Sequence, residues 1–442
     1  MATASDRMGG AGLGGLAKAS ELKSRLLFTV GALIIYRLGT YLPIPGIDPG
    51  ALADIFSQQS SGILGMFDMF SGGALSRMTI FALNIMPYIT ASIIMQLMTA
   101  IVPSLETLKK DGESGRKIIN QYTRYMTVVL ATVQGYGIAV GLESASGVVG
   151  DPGMFFRVTT VVTLVGGTLF LMWLGEQITS RGVGNGISLI IFAGIVAELP
   201  SALAGTLELG RQGALSTFVI LALIIMVIAV IAFIVFMERA QRRLLVQYPK
   251  RQTASGMAQG DNSHLPLKLN TAGVIPPIFA SSLLLMPITL ANFSSDASGG
   301  ALGTVAAMLG RGQPAYMALY AAGIIFFCFF YTSIVFNPND TADNLKRYGG
   351  FIPGIRPGPR TAEYIDHVLT RLTLVGALYL TAVCLLPEML INAYNVPFYF
   401  GGTSLLIVVN VTMDTVGQVQ GHLFAHQYEG LIQKSKLGGK RR

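Results

Sequence analysis

Ten stretches of about 17 to 25 mostly apolar residues constrain this chain most, because a helix of that length crosses a hydrocarbon layer roughly 30 Å thick. The stretches are Leu22–Leu42, Met78–Ile101, Tyr122–Leu142, Val158–Ile178, Ile187–Leu203, Leu215–Met237, Thr271–Leu290, Tyr316–Phe336, Leu372–Ile391 and Phe398–Val416. Charged residues are 12% of the 442 residues, about half of the roughly 25% that is usual in soluble domains. The sequence therefore predicts an all-α polytopic membrane protein with ten transmembrane helices.

The positions of lysine and arginine predict the orientation, because short cytoplasmic connections retain these residues. With the amino terminus inside, only five of the 31 basic residues fall at or beyond the outer interface, namely Arg37, Arg77, Arg157, Arg211 and Arg311. The opposite orientation would reverse this ratio. We therefore expect both termini in the cytoplasm, and three basic inner connections at residues 103–121, 238–270 and 337–371.

Ten helices divide into five and five, and an odd number per half makes any internal repeat inverted in the membrane. The predicted divisions are a cytoplasmic tail over residues 1–21, a first half over 22–203, an outer connection over 204–214, a second half over 215–416 and a cytoplasmic tail over 417–442. Gly9–Gly15 and Lys434–Arg442 are expected to be mobile ends.

The second segment of each half carries a sequence echo. Pro87–Ser92 and Pro276–Ser281 both fit P-x-I-x-A-S. Six positions with four matches also arise by chance, so coincidence is the alternative. Interrupted apolar segments at matching places in two halves are typical of a central site, and a proline inside a membrane helix frees a backbone carbonyl. The echo therefore predicts that these two segments flank the functional site.

The sequence lacks the residues that several function classes require. An ion-coupled transporter needs titratable groups in mid-membrane, but Glu176, Glu238 and Asp414 lie near cytoplasmic ends. Phosphate-loop, metalloprotease and nucleophile-elbow motifs do not occur, and Cys328 and Cys384 are interpreted as packing residues. We therefore predict no catalytic residue, metal or cofactor. A secondary transporter for a small solute remains the second interpretation, and an intramembrane enzyme the third.

Isoleucines at helical spacing suggest an apolar constriction that closes a pore. Ile85, Ile89 and Ile93 share one face of the second segment, and Ile187 and Ile191 repeat the spacing. Such residues usually face lipid or packing, but an apolar constriction can also close a pore by dewetting. The twelve residues Gly62–Gly73 are too short to span, so they form either a half-helix re-entering a cavity or an interfacial helix.

Four stretches together resemble the SecY family of protein-conducting channels, and the likeness covers essentially the whole chain. They are Met66–Arg77 (MFDMFSGGALSR), Gly182–Ser188 (GVGNGIS), Phe351–Gly358 (FIPGIRPG) and Phe398–Ser404 (FYFGGTS). The resemblance implies a clamshell of two inverted five-helix halves in the bacterial inner membrane, with a short re-entrant plug helix. It also implies that unfolded secretory chains with signal sequences pass through, and that SecE, SecG, the SecA ATPase and a translating ribosome are partners.

The resemblance further implies functional residues. The pore ring would be Ile85, Ile89, Ile187, Ile191, Ile278 and Ile407. The plug would be about Gly62–Gly73, with Gly62, Ile63, Leu64, Met66, Phe67, Asp68, Met69 and Phe70 as its residues. The lateral gate would include Thr90, Gln96, Asn270 and Met286. The partner-binding residues would be Lys250, Arg251, Arg356 and Tyr428. The loop tip Gln252–Ser263 contains no lysine or arginine, so Arg356 is the firmer of the basic candidates.

Overall fold

The computed structural model describes residues 20–48, 50–52, 68, 71–144, 147–212, 216–248, 252–253, 256–257, 262–293, 313–394 and 402–438. Its helices are α1 (Ser20–Gly39), α2 (Met86–Ile101), α3 (Pro103–Lys110), α4 (Glu113–Ser144), α5 (Met154–Arg181), α6 (Gly186–Arg211), α7 (Thr217–Arg239), α8 (Ile275–Phe293), α9 (Pro314–Val335), α10 (Pro338–Arg347), α11 (Pro359–Tyr394) and α12 (Gly402–Gly438). Its strands are β1 (Gln241–Gln247), β2 (Gln252–Thr253), β3 (Gly256–Met257) and β4 (Asn262–Lys268).

Six helical segments in the described part of the chain are long and apolar enough to cross a membrane. They are Glu113–Glu143, Met154–Arg181, Gly186–Glu208, Phe218–Arg239, Pro314–Arg347 and Pro359–Pro387. They coincide with the third, fourth, fifth, sixth, eighth and ninth predicted segments. The pair α2 and α3, bent by 99°, makes a seventh if it is one span. A polytopic helical membrane protein is thereby confirmed, while the count of ten and the inverted halves stay predictions.

The first, seventh and tenth predicted segments are less clearly membrane spans, each for a physical reason. Helix α1 carries Lys23, Arg25 and Arg37 within its length, which leaves a short uncharged interior. Helix α8 has a short apolar part, Ile275–Leu284, among the described residues. The amino-terminal half of α12 includes Asp414, and a charged residue makes a span less apolar.

The second segment does not begin where the sequence suggested. Residues 72–85 form turns, and α2 starts at Met86 rather than Met78. Met78 and Asn84 have left-handed backbone conformations, with φ of 43° and 48°, which interrupt a helix. Pro87 is therefore in the first turn, where its missing N–H costs nothing. The expectation of a proline inside this helix was wrong.

Helix α8 begins in the same way as α2. Pro276 is the second residue of α8, as Pro87 is of α2, and Gly273 has φ of 64° three residues earlier. Asn84 stands in the matching place before Pro87. The two P-x-I-x-A-S segments thus share a similar backbone conformation at the starts of α2 and α8.

The two larger inner connections of the prediction, 238–270 and 337–371, pack together into one small module, which is called the cytoplasmic module below after its predicted location. Strand β1 pairs antiparallel with β4, and Gln247 bridges to Phe351 of the second loop. Its apolar core consists of Leu244, Leu267, Ile352, Ile365 and Val368. An entirely α-helical fold was therefore an incomplete prediction, because alternate apolar residues in β1 and β4 suit a half-buried hairpin.

Three other boundaries also differ from the sequence prediction. Helix α6 continues to Arg211 through most of the expected outer connection 204–214, where Leu207, Glu208 and Leu209 are good helix formers. Helix α12 continues to Gly438 and so includes most of the expected tail 417–442. The loop expected over residues 337–371 contains α10 and the first turns of α11.

Two compact units make up the chain. The first unit comprises Met1–Gln96, Thr107–Ser201 and Ile407–Arg442, and the second comprises Leu97–Glu106 and Ala202–Leu406. The first contains an apolar core around Leu75, Met78 and Leu164. The second contains the α9–α11 packing and the cytoplasmic module. Helices α2, α3, α6 and α12 each contribute residues to both units.

Candidate functional site

A turn in the first unit, Ser71–Arg77, overlaps the carboxyl end of the predicted plug, Gly62–Gly73, and is called the root turn below. Three consecutive backbone carbonyls of this turn accept hydrogen bonds from side chains. The Tyr36 hydroxyl donates to Ser71 O at 3.2 Å. Arg37 Nη1 donates to Gly72 O at 2.7 Å, and Arg77 Nη2 donates to the same oxygen at 3.2 Å. Arg77 Nε donates to Gly73 O at 2.8 Å. The root turn is thereby fixed to α1.

The two arginines of this cluster also share an aromatic ring. The guanidinium carbons of Arg37 and Arg77 lie 4.9 and 4.4 Å from the ring centroid of Tyr41, within the range of cation–π attraction. Arg37 Nη2 donates to the Tyr41 hydroxyl at 2.9 Å. Arg77 also pairs with Glu198 of α6 at 3.9 Å. Side chains of α1 and α6 therefore converge on the root turn.

Of the eight residues named individually for the predicted plug, Asp68 is the one that the structure describes. Its Oδ1 accepts the Ser76 N–H at 2.7 Å, and its carbonyl accepts the Gly73 N–H at 2.9 Å. Asp68 is thus bonded to the root turn. The other predicted plug residues, Gly62, Ile63, Leu64, Met66, Phe67, Met69 and Phe70, lie outside the described residues.

Five of the six predicted ring residues belong to the first unit and one, Ile278, to the second. Ile85, Ile191 and Ile407 are buried, while Ile89, Ile187 and Ile278 are partly buried. Ile85 immediately precedes α2, and its carbonyl accepts the Ile89 N–H at 3.0 Å. The helical spacing of these two residues therefore holds although the helix starts later than predicted. The ring itself stays a prediction.

The junction between α5 and α6 positions Ile187 and Ile191. Asn185 Oδ1 accepts the Ile187 N–H at 3.1 Å and so begins α6. The Gly186 N–H donates to Thr179 Oγ1 at 2.9 Å, and a Cβ at Gly186 would collide with the Gly175 carbonyl. The glycines of this motif thus permit the close approach of α5 and α6. Gly184, with φ of 91°, donates its N–H to Gln418 of α12 at 2.9 Å.

The predicted gate residues are divided between the units. Thr90 Oγ1 donates to the Met86 carbonyl at 3.1 Å, and Gln96 Nε2 donates to Ser92 Oγ at 3.4 Å, all within the first unit. Asn270 and Met286 belong to the second unit. The side chain of Met286 lies outside the described part of the structure. A facing pair across the gate therefore stays a prediction.

Asn270 is buried within the second unit, at the start of α8. Its Nδ2 donates to Glu238 Oε1 at 2.6 Å and to the Gly273 carbonyl at 3.1 Å. Its Oδ1 accepts the Gly273 N–H at 3.0 Å. Asn270 thus ties the left-handed turn before α8 to the end of α7. Sequence reasoning placed this residue at the gate but missed its structural contacts.

Arg356 lies at the rim of the cytoplasmic module. It lines an open cavity of about 600 Å³ together with Gly354, Ile355, Arg360, Glu363, Tyr364 and His367. Arg360 pairs with Glu363 at 3.3 Å. The Arg356 carbonyl accepts the Thr361 hydroxyl at 2.9 Å, which fixes its backbone at the start of α11. The cavity therefore presents basic side chains on a fixed backbone.

The other predicted partner-binding residues lie wholly or partly outside the described part of the structure. Lys250 and Arg251 lie outside the described residues. Tyr428 is on the described backbone of α12, but its side chain is outside the described part. Arg242 and Arg243, which sequence reasoning did not single out, are exposed on β1 beside the module core. In the sequence they are recognisable as a basic pair that follows the apolar helix α7 and precedes the alternating apolar residues of β1.

Known proteins resemble this chain closely. The SecY family model matches residues 79–416. The protein translocase subunit SecY of Escherichia coli strain K12 is 58% identical over 423 residues, which cover 95% of this chain and 96% of that protein. The corresponding subunit of Rickettsia conorii is 56% identical over 422 residues, with coverage of 95% and 97%. These relatives match nearly from end to end.

Solved structures share the fold at lower identity. A structure described as a protein conducting channel has a TM-score of 0.66 and 18% identity, and covers 90% of this chain and 92% of its own. A structure on the SecY plug domain scores 0.64 at 19% identity with the same coverage. Canine Sec61 in a ribosome–channel complex scores 0.63 at 18% identity, again with that coverage. From the family match and the identity to curated subunits, the chain belongs to the SecY family.

Proposed function

We propose that this chain is the central pore-forming subunit of a protein translocase. It is a passive gated channel that passes unfolded polypeptides across the membrane and releases hydrophobic segments sideways into the lipid. The observation that carries this proposal is the 58% identity, over 95% of the chain, to a protein translocase subunit. Six described helical segments are long and apolar enough to cross a membrane, which supports a membrane channel.

The resting seal is apolar in this proposal. Ile85, Ile89, Ile187, Ile191 and Ile407 of the first unit and Ile278 of the second form a ring that closes by dewetting. Residues 62–73 form a plug beneath it. A neighbouring structure concerns a SecY plug domain that stabilises the closed state of its channel, which supports giving this segment the same role.

The lateral gate is formed by α2 and α8. These two helices start with the same conformation, a left-handed residue three positions before the proline. Matching elements in two halves of a membrane protein are typical of the parts that surround its central path. Thr90 and Gln96 on α2, with Asn270 before α8 and Met286 on α8, are the proposed gate residues.

Cytosolic partners dock on the cytoplasmic module. A neighbouring structure is Sec61 in complex with a ribosome, and a translating ribosome is accordingly one proposed partner. SecA, SecE and SecG complete the proposed assembly. The basic cavity at Arg356 suits an acidic surface, because charge complementarity fixes register and speeds encounter. Lys250, Arg251 and Tyr428 are further proposed contacts. The chain resides in the bacterial inner membrane, with both termini in the cytoplasm.

Ion conductance of the reconstituted translocase in planar bilayers tests the proposed seal. Ile89→Ser, Ile278→Ser and deletion of residues 62–70 should each raise resting conductance, because polar side chains or a missing plug keep water in the constriction. Ile228→Ser is the matched control, since Ile228 is 62% exposed on α7. Unchanged conductance in all three variants, or an equal rise in the control, would contradict the seal.

A further inference from the structure

Arg37 and Arg77 stand on the side of the membrane where arginine is disfavoured. Exported short loops of membrane proteins tend to exclude lysine and arginine, and the predicted topology places these two residues outside. Their guanidinium groups are directed to backbone carbonyls within the chain: Arg37 to Gly72, and Arg77 to Gly72 and Gly73. This pattern indicates a positioning role in this chain rather than binding of a partner.

The shape of the guanidinium group explains why arginine is needed here. Its donors are fixed in a planar fork, so one side chain can hold two acceptors at once. Arg77 uses Nε for Gly73 O at 2.8 Å and Nη2 for Gly72 O at 3.2 Å. A lysine has the same charge, but its three donors share one nitrogen at the end of a flexible chain, so it cannot present two separate nitrogens to the two carbonyls.

The glycine pair makes the grip possible. Gly72 and Gly73 have φ of 67° and 77°, a conformation that side chains rarely adopt. A Cβ at Gly72 would lie 3.0 Å from the Cα of Gly194 on α6 and 3.2 Å from Arg37 Nη1. The root turn is therefore packed against α6 as closely as a backbone without a side chain allows.

We propose that Arg37 and Arg77 are positioning residues that clamp the root turn, Ser71–Arg77, onto α1 and α6 and thereby anchor the carboxyl end of the plug. This inference rests on the proposed plug. The clamp comprises the two guanidinium groups, the Tyr41 ring that both approach, Glu198 of α6 and the carbonyls of Gly72 and Gly73. Release of the clamp exposes the buried turn and lets ions leak through the resting channel.

Thiol labelling of the assembled translocase measures the clamp directly. Ala74 is fully buried inside the root turn, so a thiol introduced by Ala74→Cys reports whether the turn is seated. Cys328 and Cys384 are replaced by alanine in this background. A membrane-impermeant maleimide is added from the outer side, and resting conductance is recorded on the same preparations.

Labelling should rise about tenfold for each of Arg37→Gln and Arg77→Gln, because each removes charge-assisted hydrogen bonds. Resting conductance should also rise in both variants. The double variant should show more labelling and a higher conductance than either single variant. Arg157→Gln is the matched control, since Arg157 also forms a partly exposed ion pair, to Glu143, on the predicted outer side. Arg77→Lys should behave like Arg77→Gln, because the fork matters and not the charge alone.

Substitution of Gly72 tests the clamp independently of the two arginines. Gly72→Ala should raise labelling, whereas Gly112→Ala should leave it unchanged. Both glycines are left-handed, but a Cβ at Gly112 has no neighbour within 4 Å among the described residues. Gly112→Ala therefore controls for the conformational cost of replacing a left-handed glycine outside the root turn.

Several results would overturn the clamp. Unchanged labelling in the arginine double variant would show that the root turn is held without these residues. An equal rise in Arg157→Gln, or wild-type behaviour of Arg77→Lys, would show that charge alone explains the effect. Deletion of residues 62–70 separates this failure from failure of the proposed function. If that deletion leaks and the arginine variants do not, only the clamp is wrong, and if the deletion does not leak, the plug assignment is wrong.

Discussion

The root turn and the cytoplasmic module use arginine for opposite purposes. In the root turn, Arg37 and Arg77 donate to backbone carbonyls at 2.7 to 3.2 Å and share the Tyr41 ring. In the module, Arg356 lines a cavity of about 600 Å³ that is open to solvent. Arginine bound to the chain's own backbone positions a segment, whereas arginine around an open cavity is available to another molecule.

The largest expected effect tests the use of Arg356 at the proposed docking surface. Arg356→Glu should reduce ATP-driven export into inverted vesicles by about tenfold or more, since a reversed charge juxtaposes like charges at the docking surface. Assembly should be unaffected, because an exposed charge contributes little to folding. Arg347→Glu is the control, as Arg347 is exposed on α10 in the same module.

The outcome of that comparison is decisive for the cavity. Normal export by a normally expressed Arg356→Glu variant would remove the cavity from the docking surface. An equal loss in Arg347→Glu would assign the effect to net charge of the cytoplasmic face rather than to this site.

A smaller effect tests whether the hairpin core supports Arg356. Leu267 is 3% exposed in the module core, whereas Leu245 on the facing strand is 38% exposed. Leu267→Ala should destabilise the module by about 2 to 5 kcal/mol and lower export less than Arg356→Glu does, whereas Leu245→Ala should have a much smaller effect. Limited proteolysis of the loop, measured beside export, would follow this difference, and equal behaviour of the two variants would contradict a core that supports the site.

The sequence predicted long uninterrupted helices best. The third, fourth, fifth, sixth, eighth and ninth predicted segments match helices that can span, because each is long and mostly apolar and its helix continues even through Pro200 and Pro387. The start of α2 was misplaced by eight residues, since Met78–Ile85 are apolar enough to continue a helix pattern. Only the backbone shows that Met78 and Asn84 turn the chain there.

The contacts of the candidate site could be predicted less well. The sequence identified isoleucines and glycine-rich motifs, but the grip of Arg37 on Gly72, 35 residues away, depends on tertiary structure that spacing alone does not encode. A signal was nevertheless present, because Arg37 and Arg77 were exceptions to the positive-inside rule. The hairpin was also detectable from alternate apolar residues, as Leu244 and Val246 are buried and Leu245 is exposed.

Cysteine cross-linking to a polypeptide arrested during export tests the central claim most directly. A secretory substrate with one cysteine is stalled in the assembled translocase, in which Cys328 and Cys384 are alanine and one new cysteine replaces Ile89, Ile278 or Leu221. Leu221 is 53% exposed on α7 and serves as the lipid-facing control. The account predicts disulfides to positions 89 and 278 and none to position 221, because a bond requires Cα atoms within about 7 Å. Cross-linking at position 221 with none at 89 and 278 would contradict a path for the polypeptide through this chain.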